Sequence, residues 1–510
     1  MMWWQPVGAM QRAFCSRTPG RVVVGKAEAM ILETRRPAPE RAARMLLAVL
    51  LGAAFAAIWA LIEPRGPVTG GQAVALMGSA LAVGWLAGRV TGSQLAALIV
   101  PVAHVAGFEL VRSSCSLPTA GGSPSATAFG LVAFVLGRVV PWLLAVVPMA
   151  LGAGWGARRL AVKRRWALIA ASTALAVLSC WLLVPPAAAR VEAPGGFAEL
   201  VEVELGGHRQ WIQVRGTDRS NPVVLYLSGG PGQSDQAFSR VLLEPLLDQI
   251  TLVSWDQRGT GKSYPDLDSA SMSLGRAVAD VVDLATYLSR RFGQEKVILL
   301  GESWGSLLGV LAVKQAPQLF SAYVGSGQMV NVRQTDEAIY DDLSAVAART
   351  ADAELAGQLA RLGRPPYRSV FDYGEIMLRY PLLEGSYTPP AGYRQRASAG
   401  GVGPLGVLGV EYDPIEKLNV IRGLLDMFSV MYPQLQAIDL RQSATALDVP
   451  VYILCGDHEL AARTGPAREW FEGLTAPSKR WYQLPDAGHS VAFEQAEELG
   501  RILREDVAGH

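Results

Sequence analysis

Five long apolar runs, residues 45–62, 68–88, 93–111, 129–151 and 166–184, crowd into the first 185 residues of this chain. Each is near the roughly 20 residues that a helix needs to cross a bilayer core. One such run could be a buried core helix, but a soluble domain cannot enclose five helices that are apolar all round. Beyond about residue 185, short apolar runs alternate with charged segments. The overall composition, 50% hydrophobic and 18% charged, therefore averages a membrane part with a soluble part. At 510 residues at least two domains are expected. The first run lies too far from the N-terminus, and is followed by too many others, to be a cleaved signal peptide.

Basic residues accumulate in segments that stay cytoplasmic. Arg35, Arg36, Arg41 and Arg44 precede the first run, and Arg158, Arg159, Lys163, Arg164 and Arg165 stand between the fourth and fifth. Residues 113–127, between the third and fourth, carry no charge. This asymmetry places the N-terminus inside and, with about five spans, delivers everything after residue 185 to the outer side. Residues 1–41 read as a disordered basic cytoplasmic tail, with Met30 as a second candidate start, and residues 42–185 as the transmembrane region. His104, Glu109 and Arg138 are the ionisable residues in the spans; Glu109 and Arg138 read as side chains snorkelling at span ends rather than as a transport path. The four cysteines, Cys15, Cys115, Cys180 and Cys455, form neither a metal-spaced pair nor a disulfide framework. No cofactor or metal is expected, and a net charge of +1 gives no reason to expect nucleic acid as a partner.

After Pro185-Pro186 and a short linker, residues 199–205 and 209–214 flank Gly206-Gly207 and predict an opening hairpin. Apolar strands are expected at 223–227, 251–255, 297–300, 322–325, 450–454 and 481–484, with helices at 274–292, 307–315 and 491–507. Continuous apolar strands alternating with helices indicate a parallel sheet covered on both faces. Residues 331–447 break the pattern: they are helical, acidic and interrupted by Pro and Gly. They read as a cap inserted between core segments 186–330 and 448–510.

Gly301-Glu302-Ser303-Trp304-Gly305-Ser306 lies directly after the apolar run 297–300 and directly before the helical stretch 307–315. In a chain with 53 glycines a G-x-S-x-G can arise by chance, so the flanking strand and helix carry the weight. They make Ser303 the nucleophile elbow of an α/β-hydrolase fold. A serine hydroxyl is a weak nucleophile and needs a base. His489 is preferred over His208, His458 and His510, because it sits on a Gly-containing loop after the last strand and opens the final helix. The acid that orients it is expected at Asp457, immediately beyond a strand end, with Glu459 as the competing carboxylate. The oxyanion donors are the N–H of Trp304 and that of Gly230 or Gly229; Pro231 has none to give.

Together, Gly229-Gly230-Pro231-Gly232, Asp256-Gln257-Arg258-Gly259-Thr260-Gly261-Lys262-Ser263, Gly301 to Ser306, Gly456-Asp457 and Gly488-His489-Ser490 resemble the proline iminopeptidase branch of the α/β-hydrolases, serine peptidases that release N-terminal residues. The resemblance covers about residues 220–330 and 448–510. It implies a Ser303, Asp457, His489 triad, a bracing role for the Asp256 to Ser263 run, and hydrolysis of a peptide or a similar small amide or ester. Two positions depart from the pattern: Ser228 stands where His is usual, and Glu302 where Gly is usual. An aminopeptidase must bind a free ammonium. Glu337 and Glu375, and beyond them Asp341, Asp342 and Glu411, are the candidate acids. The leading expectation is a membrane-anchored serine aminopeptidase whose partners are a small peptide or ester and membrane lipid. A carboxylesterase or lipase-like hydrolase on the same triad is the first alternative, and a catalytically idle membrane sensor the second.

Overall fold

The computed structural model describes residues 38–115, 127–157, 162–265 and 271–507. The tail up to residue 37, residues 116–126 of the uncharged segment and residues 158–161 of the basic cluster lie outside the described residues. Helix α1, Ala38–Ile62, starts before the expected apolar run, so the tail reading is corrected for residues 38–41. Pro39 and Glu40 in its first turn supply a pre-set φ and a charge that suits a helix N-terminus.

Helices α2 (Gly70–Thr91), α3 (Ala96–Arg112) and α4 (Ala128–Phe134) follow. A π-helical turn, Val135–Val139, joins α4 to α5 (Val140–Gly156), and α6 (Val162–Leu182) completes the bundle. Among the described residues four helices, with Ala128–Gly156 taken as one, are long and apolar enough to cross a membrane; α3 has 17 residues. The packing is of the membrane type. Gly84 and Gly88 of α2 lie against the backbone of Met149 and Ala153, while Gly152 and Gly156 of α5 lie against that of Leu81 and Trp85. Small residues four apart on both helices thus let the two backbones touch. Glu109 is paired, accepting from Trp142 Nε1 at 3.1 Å and lying 3.3 Å from Arg138 and 3.6 Å from Arg112.

The soluble part is built on one sheet. Its strands are β1 (Phe197–Leu205), β2 (His208–Gly216), β3 (Val223–Leu227), β4 (Thr251–Asp256), β5 (Val297–Glu302), β6 (Phe320–Ser326), β7 (Val451–Gly456) and β8 (Lys479–Leu484). They stand in the order β1-β2-β4-β3-β5-β6-β7-β8. The β1–β2 pair is the expected hairpin, β2–β4 is also antiparallel, and every later pair is parallel. Strands β3, β4, β5 and β7 are buried throughout, which is why they read as uninterrupted apolar runs. Helices α7 (Gln236–Leu242), α8 (Leu274–Phe292) and α9 (Trp304–Gln315) connect the first six strands.

Between β6 and β7 the chain forms α10 (Val332–Thr350), α11 (Ala353–Leu362), α12 (Val370–Met377), α13 (Pro381–Glu384), α14 (Ala391–Gly400), α15 (Pro414–Leu435) and α16 (Leu440–Ser443). Helix α17 (Ala461–Gly473) lies between β7 and β8, and α18 (Val491–Glu494) and α19 (Ala496–Ile502) follow β8. Helix α15 opens on a capping box formed by Asp413 and Glu416 and joins the cap to the bundle. Asn419 Nδ2 donates to Val68 O at 2.8 Å, Arg422 Nη1 to Pro67 O at 2.9 Å, and Arg422 Nη2 to Leu136 O in the π-turn at 2.9 Å. A π-turn loosens the regular helical ladder, and the adjacent carbonyl of Gly137 takes a donor from Arg112 at 2.7 Å.

Candidate active site

The loop after β3, the turn after β5 and the loops after β7 and β8 all leave the carboxyl ends of parallel strands, where open α/β sheets place their sites. Ser303 makes the β5–α9 turn with φ 54° and ψ −118°. Such backbone is sparsely populated for a side-chain-bearing residue and is held only by its surroundings. The flanking glycines are part of that support. A Cβ on Gly301 would come within 2.4 Å of Gly305 O, and one on Gly305 within 2.1 Å of Leu227 O. The Ser303 N–H donates to Ser326 O at 2.9 Å.

His489 comes to the same place from β8. Its imidazole lies against Gly327, where a Cβ would meet Cε1 at 2.8 Å and Nδ1 at 2.9 Å. The Ser326–Gly327 turn at the end of β6 thus borders both Ser303 and His489. The carboxylate that meets His489 is the competing one, Glu459, rather than Asp457. His489 Nδ1 is hydrogen-bonded to Glu459 Oε2, whereas Asp457 is exposed and continues the strand edge, its N–H donating to Leu484 O at 2.9 Å. Immediate adjacency to the strand end is what removes Asp457 from the site, because its backbone is still committed to β8. Two residues further on the chain has turned inward, and the Glu459 side chain is 3% exposed. Its Oε1 accepts from Leu460 N–H at 2.8 Å and Arg463 Nη1 at 3.0 Å. Burial alone would raise this carboxyl; the charges of His489 and Arg463 outweigh it and hold Glu459 at about 2. The signal in the sequence was the i, i+4 spacing of Glu459 and Arg463 into a helix.

The candidate oxyanion donors flank Ser303. Trp304 is the first residue of α9, and a Cβ on Gly229 would stand 3.5 Å from Ser303 Cβ. The buried Asp235 carboxylate nearby accepts from Tyr226 Oη at 2.9 Å and Gln233 Nε2 at 2.7 Å, and Gly229 and Gly230 are both candidate donors from this loop. Gln257 ties the two halves together: its Nε2 donates to Ser228 Oγ at 3.2 Å, and its Oε1 accepts from Trp304 Nε1 at 3.0 Å. Asp256 accepts from Lys262 N–H at 2.9 Å and Tyr412 Oη at 3.1 Å, and burial pushes its carboxyl up to about 7. The run from Asp256 to Ser263 therefore braces the site, and Lys262 carries the brace to the cap through Glu416 at 2.8 Å.

Glu302, at the departure from the usual glycine, is buried beneath the elbow near Ser490 and Tyr226. Burial, with Asp235 nearby, pushes its carboxyl well up. It stands beside the His489 loop, whose Gly488 N–H donates to Glu494 Oε2 at 2.6 Å. Three of the five acids expected to meet an ammonium are engaged elsewhere. Glu375 pairs with Arg361, and Asp341 with Arg364 at 2.6 Å. Glu411 is buried against Arg240 and Gln213. Asp342 is exposed on α10, where Glu337 is half-buried beside Asp336. Among the described residues there is no cluster of side chains that could hold a metal ion.

A mixed eight-stranded sheet that gathers a strained serine, a histidine and a buried carboxylate at the ends of its strands is that of an α/β-type hydrolase. Residues 222–496 match the alpha/beta hydrolase fold, and the chain belongs to that family. It is 27% identical over 316 residues, 61% of this chain and 97% of the relative, to "Probable aminopeptidase YbaC" of Bacillus subtilis (strain 168). It is 31% identical over 133 residues, 25% of this chain and 39% of the relative, to "Probable proline iminopeptidase" of Streptomyces coelicolor (strain ATCC BAA-471 / A3(2) / M145). Among solved structures, a proline iminopeptidase-related protein from Thermus thermophilus is similar at 20% identity and a TM-score of 0.43, over 62% of this chain and 100% of that one.

Proposed function

We propose that the protein is a membrane-anchored serine hydrolase that releases N-terminal residues from short peptides, with Ser303 as nucleophile, His489 as base and Glu459 as the orienting acid. The observation that carries this reading is the hydrogen bond of His489 to the buried Glu459 carboxylate beside the strained Ser303 turn. Glu459 on Nδ1 leaves Nε2 to take the Ser303 proton as Oγ attacks the acyl carbon. Glu459 then stabilises the imidazolium that forms. The N–H groups of Trp304 and of Gly230 or Gly229 receive the oxyanion, His489 returns its proton to the leaving amine, and water releases the acyl group from Ser303 by the reverse sequence. The relatives named as an aminopeptidase and a proline iminopeptidase support a peptide substrate. Glu337 and Asp342 are the remaining cap acids for the substrate ammonium. The engagement of Glu375, Asp341 and Glu411 by arginines favours a second reading, an esterase that needs no ammonium site.

The proposed topology has five spans, an N-terminus inside and the hydrolase outside. It is supported by which ends of the bundle meet the cap. Pro67 and Val68, between α1 and α2, lie against α15. Leu182, at the end of α6, stands at the start of α2 near Asp413. The basic residues Lys163, Arg164 and Arg165 open α6 at its other end.

The test is turnover of aminoacyl-arylamides, prolyl included, and of short-chain aryl esters by the purified full chain and its Ser303→Ala variant. Arylamide turnover that needs a free N-terminus and vanishes in the variant is the expected result. Ester turnover alone would establish the second reading, and turnover that survives in Ser303→Ala would refute both.

A further inference from the structure

Five large apolar side chains of the hydrolase part are exposed among the described residues, and all five are in the cap. Met377, Leu378 and Leu382 are 46%, 61% and 50% exposed, and Leu408 and Val410 59% and 50%. Singly scattered, such residues need no explanation; grouped, they mark a contact surface. Each group adjoins a segment that leaves the bundle. Helix α12, which ends in Met377, packs on α4 so closely that a Cβ on Gly374 would come within 2.6 Å of the Phe129 ring. Leu131 and Val132, on the same short helix as Phe129, are exposed as well. On the other group, Val410 O accepts from the N–H of Ala187 at 3.2 Å, just beyond the exposed Leu183 and Val184 that follow α6.

We propose that the cap rests on the bilayer itself, with these two groups immersed at the boundary between headgroups and acyl chains. The proposal rests on the membrane reading given above, and its occupant is lipid because both groups adjoin segments of the bundle with exposed apolar side chains. Amphipathic surfaces of this kind sink about 5–10 Å into the interface. The contact reaches the active site through the strap at residues 382–387. Tyr387 stacks on His458 at 4.5 Å between ring centroids and donates to Glu494 Oε1 at 2.8 Å. Glu494 in turn accepts from Gly488 N–H, next to His489. The lipid surface thus bears on the loop that carries the base.

The experiment places single cysteines at Leu378, at Leu408 and, as a control, at the exposed Glu295 before β5, in the full chain with Cys15, Cys115 and Cys180 replaced by Ser. Each is labelled with bimane and read in phosphatidylcholine nanodiscs with and without doxyl-labelled lipid. Quenching at 378 and 408 several-fold above that at 295 is expected. Quenching no greater than at 295 overturns the proposal, as does a dimer by mass photometry whose bimane signal is shifted but not quenched by lipid. Leu382→Cys is the second position should one variant fold poorly. Quenching is read without turnover, so it stands or falls apart from the serine-hydrolase reading, and recovery of unlabelled chain in the nanodisc fraction reports on the membrane reading separately.

Discussion

Strained backbone of the Ser303 kind costs on the order of 1–3 kcal/mol and persists where tight packing leaves no alternative; here Gly301 and Gly305 permit that packing. Glu459 and Asp457, two residues apart, differ in what surrounds them. Glu459→Gln should lower kcat by roughly 10²- to 10⁴-fold, as loss of an orienting acid does, while Asp457→Asn should stay within about twofold. Steady-state kinetics of the two variants decide between them. The pair also carries stability. The Glu459 carboxyl falls from 4.5 unfolded to about 2 folded, so its contribution is present above pH 4.5 and is lost as pH falls toward 2. Asp336 has the opposite sign: burial raises its carboxyl from 3.8 to about 7, so its contribution is full below 3.8 and lost as pH rises through 7. Asp336→Asn keeps an acceptor for Tyr432 Oη, at 2.7 Å, and should flatten the fall in Tm between pH 5 and 8 seen by calorimetry. Sequence pattern singled out Ser303 and His489 because an elbow and a Gly-His loop are local. It ranked Glu459 behind Asp457 because the direction a loop side chain takes is set by contacts made far along the chain.

Elements that pair locally were legible, and elements whose purpose is distant were not. The alternating strands, the opening hairpin and the helical stretch after β6 are all visible as periodicity, whereas nothing local marks α15 as the helix that reaches the bundle. Gln257 shows how a motif works at this scale, since one side chain joins the loop of Ser228 to the helix of Trp304. Gln257→Leu removes both contacts and should reduce kcat by about tenfold or more, through misplacement of oxyanion donors, with KM little changed. In the bundle, α2 and α5 meet at glycines on both sides, so Gly84→Leu places a side chain where the Met149 carbonyl lies 1.9 Å from the ideal Cβ. Loss of folded yield in detergent, followed by size-exclusion chromatography, is the expected outcome.

For the whole molecule, the decisive contact is that of α15 with both halves. One face holds the carbonyls of Pro67, Val68 and Leu136 through Asn419 and Arg422. Another lies against the oxyanion loop, where a Cβ on Gly232 would come within 2.7 Å of Gly423 O. Arg422→Ala leaves two carbonyls without their donor, at about 1–3 kcal/mol each. The full chain should melt at a lower temperature in detergent, and Lys at 422, which cannot span both carbonyls with a planar fork, should restore only part of the loss. The linker between α6 and β1 is therefore not the sole tether. A protease that cut near Ala193 would leave the hydrolase seated on its helices, held by a buried arginine and a close-packed helix, so a single cleavage would not release the hydrolase part from the bundle.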